Sequence, residues 1–117
     1  MLTVLVVASL VRVPALIARI EELPDVSVLS HTHDSRLALA RARLLMPDVL
    51  VVDLSAMFTP DAPTVLDQAR RLQPSCTVVV HADEAVIGVI GPAGDVVPAA
   101  SGRASGLAEV LAGLAQP

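Results

Sequence analysis

Lysine is absent from this chain of 117 residues, so all eight basic side chains are arginines. Tryptophan and tyrosine are absent as well, and Phe58 is the single phenylalanine. So few aromatic rings leave no stacking platform for bases or sugars. One cysteine, Cys76, excludes an internal disulfide framework and a cysteine-based zinc site. Apolar stretches are broken by Pro, Asp and Arg before reaching the ~18 consecutive positions of a membrane helix. The opening Leu2–Leu10 has no basic residue ahead of it, and its first positive charge, Arg12, follows the apolar run. That order reads as a buried strand rather than a secretory leader. A soluble, cytoplasmic domain without membrane contact is the expectation.

What is present is aliphatic. Hydrophobic residues make up 54% of the chain and charged ones 17%, a balance that excludes intrinsic disorder. The length suits one domain spanning residues 1–117, with a core of Val, Leu, Ile and Ala. An end at Pro117, directly after the last predicted helix, suits the N-terminal part of a longer protein as well as a complete small one. The net charge of −4, without a basic cluster, argues against direct nucleic-acid binding.

Short β-branched runs alternate with segments of helical period. Strands are predicted at Leu2–Val7, Val26–Ser30, Val49–Asp53, Thr77–His81 and Asp95–Val97. Helices are predicted at Val11–Leu23, from Asp34 or Ser35 to Met46, at Thr64–Gln73 and at Ala104–Ala115. Leu37, Ala40 and Leu44 are the expected buried face of the second. Asp83–Ile90 starts like a helix, but Gly88 and the β-branched residues weaken that reading. The alternation implies an α/β, flavodoxin-like three-layer sandwich with a five-stranded parallel sheet in the order 2-1-3-4-5.

In such sheets, ligands bind at the carboxyl ends of the strands. The residues expected there are Ala8 and Ser9, His31 and His33, Asp53, His81 and Asp83, and Pro98. Asp53 ends a wholly apolar strand at the middle of the sheet, where a carboxylate serves as phosphoryl acceptor, metal ligand or loop cap. His31 and His33 lie three strand spacings from His81 and without a carboxylate, so solvated loop histidines are expected rather than a metal site. Ser9, Ser55 and Thr59 lack a nucleophile elbow and read as loop-capping hydroxyls. Cys76, beside Pro74 at a strand start, reads as a buried filler. The glycines at 88, 91 and 94 have neither the P-loop lysine nor the dinucleotide-binding spacing.

The run PDVLVVDLS from Pro47 to Ser55 resembles the third strand of a bacterial response-regulator receiver domain, the CheY-like fold, with Asp53 at the phosphoacceptor position. VLVV at Val4–Val7, LPDVSVLS at Leu23–Ser30 and GPAGDVVPAAS at Gly91–Ser101 are similar to its NarL/LuxR subgroup. The resemblance covers nearly the whole chain. It implies a signalling domain of two-component systems that takes a phosphoryl group with Mg²⁺ and controls transcription through a separate DNA-binding domain.

The site departs from that pattern. Ala8 and Ser9 stand where the family has its Mg²⁺-binding acidic pair, and one aspartate is a weak Mg²⁺ site. His81 replaces the family's Thr or Ser, and Pro98, or Val97 in a shifted register, replaces its lysine. The aromatic switch position falls on Asp95 or Gly94. The loop from Asp53 to Ala62 is one residue longer than usual, and the family's fourth helix would be shortened between His81 and Gly91. These departures imply an atypical receiver, a pseudo-receiver without a Mg²⁺ site or other cofactor and without enzymatic activity.

Such a domain would act on protein partners, on an attached output domain or as a homodimer. The apolar AVIGVI segment and the first and last helices are the candidate surfaces. Asp53 and His81, ending adjacent strands, are expected to meet directly or through water, with His81 filling space a phosphoryl group would need. The alternatives are a working phosphoacceptor at Asp53, the localisation domain of a MinD/ParA-like pilus-assembly ATPase, and an enzyme or ligand module on the same sheet.

Overall fold

The computed structural model describes residues 1–53, 76–82, 85–91, 96–98 and 106–115. In chain order they form β1 (Leu2–Val7), α1 (Val13–Glu21), β2 (Val26–Thr32), α2 (Ser35–Leu45) and β3 (Val49–Asp53). Then follow β4 (Thr77–Ala82), β5 (Ala85–Ile90), β6 (Val96–Pro98) and α3 (Leu107–Ala115). The expected helix at 64–73 lies outside the described residues, as do Ser55, Thr59, Asp83, Gly94 and Asp95. No described helix is long and apolar enough to cross a membrane.

The strands form one sheet in the order β2-β1-β3-β4-β5-β6. The first four pair in parallel, as the alternation of strands and helices predicts. β1, β3 and β4 read as unbroken apolar runs because both faces of the sheet are covered. Side chains alternate across it. Val4, Val6, Val49, Val51 and Val79 pack with Leu16 and Ile20 of α1 and Leu107 and Leu111 of α3. Leu5, Val7, Leu50, Val52, Val78 and Val80 pack on the other face with Ala38 and Ala42 of α2. The result is a helix–sheet–helix layering around a mostly parallel sheet.

The far half of the sheet departs from the expected pattern. Residues 85–90 form a strand, β5, antiparallel to β4, where a shortened helix had been one reading. Consequently β6 pairs antiparallel with β5 and becomes a sixth strand. Val86, Ile87 and Val89 are β-branched and favour extended backbone. A register shift between Val80 and His81 resets the alternation, so Val86 and Val89 face the α1 side and Ile90 the α2 side. Val86 and Ile90 are 1% and 5% exposed, so they belong to the core and not to a dimer surface.

The orientation of α2 also corrects the sequence reading. Ala38 and Ala42 face the sheet, while Leu37 and Leu44 are 47% and 82% exposed and Ala40 is exposed too. Small side chains let the helix lie close to the sheet. The helix closes at Met46, a non-glycine residue with φ of 50°, whose N–H donates to Ala42 O at 3.0 Å. The start of β3 is pinned to β1 by paired bonds. Thr3 N and Oγ1 donate to Asp48 Oδ2 at 2.9 and 3.0 Å, and Asp48 N donates to Thr3 Oγ1 at 3.0 Å.

Candidate functional site

Three residues line up across the carboxyl ends of β1, β3 and β4. Val7 pairs with Val52 and Asp53 with His81, so Ala8, Asp53 and His81 stand at one level of the sheet. Their positions share the parity of Val6, Val51 and Val79, which places their side chains on the α1 face. All three are buried, at 0%, 1% and 0% exposure. A carboxylate so buried has to be paired and hydrogen-bonded.

It is. His81 Nδ1 lies 3.2 Å from Asp53 Oδ1, the direct contact expected of two strand-end neighbours. Arg12 Nε donates to Asp53 Oδ2 at 3.0 Å, across 41 residues of sequence. Arg12 stands at the N-cap of α1, after a turn in which Arg12 N and Val13 N both donate to Ser9 O at 3.0 Å. A cation at a helix N-terminus opposes the helix dipole, so the guanidinium is held there by Asp53 rather than by its own helix. The small Ala8 side chain takes the β1 end of that row, fully buried.

Arg12 is the residue that sequence reasoning missed. The signal was available: a buried aspartate in a chain without lysine has only arginine or histidine to neutralise it. Arg12 is the arginine that follows β1, the strand beside Asp53.

The remaining candidates do not join this cluster. Pro98 ends β6, three strands from Asp53, with β4 and β5 between them. His31 and His33 are exposed beyond β1 on the opposite side, and the His31 carbonyl accepts a bond from Arg41. Among the described residues Ser9 Oγ is buried without a hydrogen-bond partner, and its backbone carbonyl, rather than its hydroxyl, organises the turn. Cys76 is a free thiol, 7% exposed in the core of the α2 face. Burial raises its pKa above the ordinary thiol value, with a backbone hydrogen bond opposing the shift.

Two kinds of chemistry can be tested on this geometry. The Mg²⁺ that the sequence resemblance implies would need hard oxygen ligands. Among the described residues the site offers one carboxylate, with a guanidinium and an imidazole on its two oxygens and Ala8 beside it at the end of β1. Among the described residues no group of three His, Cys, Asp or Glu could hold a metal ion. The described residues therefore give a hard cation a single carboxylate.

The described residues also form no hydrolase triad. That arrangement places a serine hydroxyl on the free nitrogen of an Asp-bound histidine. His81 Nε2 is buried without a partner, and so is Ser9 Oγ, so the two are not bonded to each other. Their strands are separated by β3, which puts them roughly 10 Å apart in the ladder direction.

No protein-family profile matches the chain, and no curated protein matches it.

Proposed function

We propose that this chain is a pseudo-receiver: a signalling or interaction domain on a variant of the flavodoxin-like, CheY-like fold, whose phosphoacceptor position is permanently occupied by internal partners. One observation carries the reading. Both oxygens of Asp53 are held from within the protein, Oδ2 by Arg12 and Oδ1 by His81. A phosphoacceptor carboxylate has to present an oxygen to the incoming phosphorus, with a divalent cation neutralising the approaching charge. Here a guanidinium neutralises the carboxylate itself, and its removal would leave a buried charge with one partner fewer.

The order 2-1-3-4 of parallel strands and the central position of Asp53 support the receiver relationship. The antiparallel β4–β5–β6 arrangement takes the place of the family's last crossover. In the NarL/LuxR setting suggested by the sequence, DNA binding would belong to a separate domain, and this acidic one would communicate through protein contacts. On this reading the domain is not an enzyme: the described residues of the cluster pair no nucleophile with a base.

The test is a two-dimensional amide NMR spectrum of the chain with Mg²⁺ and beryllofluoride, together with labelling by acetyl phosphate. The amides of Val52, Asp53 and His81 are expected to stay in place, and no label should appear. Stoichiometric labelling that disappears in Asp53→Asn would overturn the proposal.

A further inference from the structure

Two features lie at the edge of the sheet where the strands begin, far from Asp53. The first is a cavity of about 190 Å³ between the α1–β2 connection and the end of α3. It is lined by Leu23, Pro24, Asp25, Val26, Ala112 and Ala115. That volume is comparable to the roughly 150 Å³ of an apolar cavity that accepts benzene, so it accommodates a branched aliphatic side chain. Its surroundings are acidic on balance, with Asp25, Glu21 and Glu22 exposed beside Arg19 of the last turn of α1.

The second is a projection at the end of α2. Leu44, Leu45 and Met46 are 82%, 41% and 55% exposed, and the left-handed turn at Met46 sets them at the surface. The helix that carries it is basic, and Asp48 is the exposed acid that follows it. The helix SRLALARARLL contains three arginines and no acid, with Arg43 in its last turn. Like charge disfavours packing α2 against the same helix of another molecule.

The fold places projection and cavity in a definite relation. α1 and α3 cover one face of the sheet and α2 the other. Both features lie towards the β2–β1 side: the cavity is lined by Leu23, Pro24, Asp25 and Val26 where β2 begins, and α2 packs on β2 and β1. Both also belong to the connections entering strands, Leu23–Asp25 before β2 and Leu44–Asp48 before β3. A twofold axis lying in the sheet plane and running across the strands turns one copy end to end and exchanges its faces. That operation brings the α2 side of each copy opposite the α1–α3 side of the other at the strand-start edges, the arrangement in which two identical contacts close a dimer.

We infer that two copies of this chain associate through their strand-start edges, Leu44 of each entering the Leu23–Ala115 cavity of the other and Arg43 meeting Asp25. A second copy is the occupant because the same chain supplies both halves, an apolar projection with a basic margin and an apolar cavity with an acidic one. The inference is independent of the reading of Asp53. Each contact is small beside the ~800 Å² per partner of a stable complex, so the dimer is concentration-dependent.

Sedimentation equilibrium of the 117-residue chain between about 10 μM and 1 mM tests it. The weight-average mass is expected to rise towards twice the monomer. Leu44→Glu should weaken association by about tenfold or more, since each dimer loses two buried leucines. Ala115→Leu, which narrows the cavity from the other side, should act in the same direction. Arg43→Glu and Asp25→Arg should each weaken the dimer, and the double variant should regain affinity over either single one. Far-UV circular dichroism checks that each variant is folded. A wild-type chain that stays monomeric, a dimer indifferent to Leu44→Glu, or a double variant no tighter than the singles overturns the inference.

Discussion

Replacing Arg12 with alanine tests the internal counter-ion directly. Asp53 is 1% exposed and the Arg12 side chain 28%, so the pair sits between the interior and the surface. Two unit charges about 4 Å apart attract by about 4 kcal/mol at an effective dielectric of 20. Partial solvation of the guanidinium reduces what is lost with it, whereas removing one member of a buried pair costs about 3–5 kcal/mol. We therefore expect Arg12→Ala to destabilise the fold by about 2–3 kcal/mol, which lowers the melting midpoint of a domain this size by roughly 8–12 °C.

A double-mutant cycle isolates the pair from the other interactions of both residues. Arg12→Ala, Asp53→Asn and their combination should give a coupling energy of about 2 kcal/mol. With no tryptophan or tyrosine, urea unfolding is best followed by far-UV circular dichroism. Arg12→Lys keeps the charge but loses the planar fork, and should fall between wild type and alanine. A coupling energy below ~0.5 kcal/mol would refute the claim that Arg12 is the counter-ion of Asp53.

Two further outcomes follow from the packing. Ala38→Leu should overpack the α2–sheet contact and cost about 1–3 kcal/mol, while Leu44→Ala in dilute solution should stay within about 0.5 kcal/mol of wild type; thermal melts of the two variants would reveal a misassigned face if the order were reversed. Because burial raises the folded-state pKa of Cys76, its contribution is complete below the unfolded thiol's pKa and is lost as pH rises through the raised value. Stability should therefore fall in alkaline solution more steeply for wild type than for Cys76→Ala, and parallel pH profiles would contradict this.

Much of the sheet was legible because its chemistry is repetitive. LTVLVV, VLVVD and TVVVH are apolar on both faces, a pattern that only a strand covered on both sides requires. The meeting of Asp53 and His81 followed from the same regularity, since the ends of adjacent parallel strands lie side by side. The α2 orientation was not legible from hydrophobicity, which gives leucine more weight than alanine. Proximity to the sheet selects by size instead, and Ala38 and Ala42 occupy the buried positions. At 85–90 the register shift opposite Val80 and His81 breaks the period of two, so neither strand nor helix periodicity runs through the segment. Arg12 was hidden for a different reason: its partner is 41 residues away, and no local pattern records such a pairing.

The short outermost strand has a consequence of its own. A sheet margin with a long row of unsatisfied amide and carbonyl groups invites added strands and, eventually, fibrils. On this side the margin is β6, only three residues long and ending in an imino acid that has no amide hydrogen to donate. Growth of the sheet by strand addition is therefore poorly templated at that margin, and the seven-residue margin β2 is left as the longer ladder for an added strand.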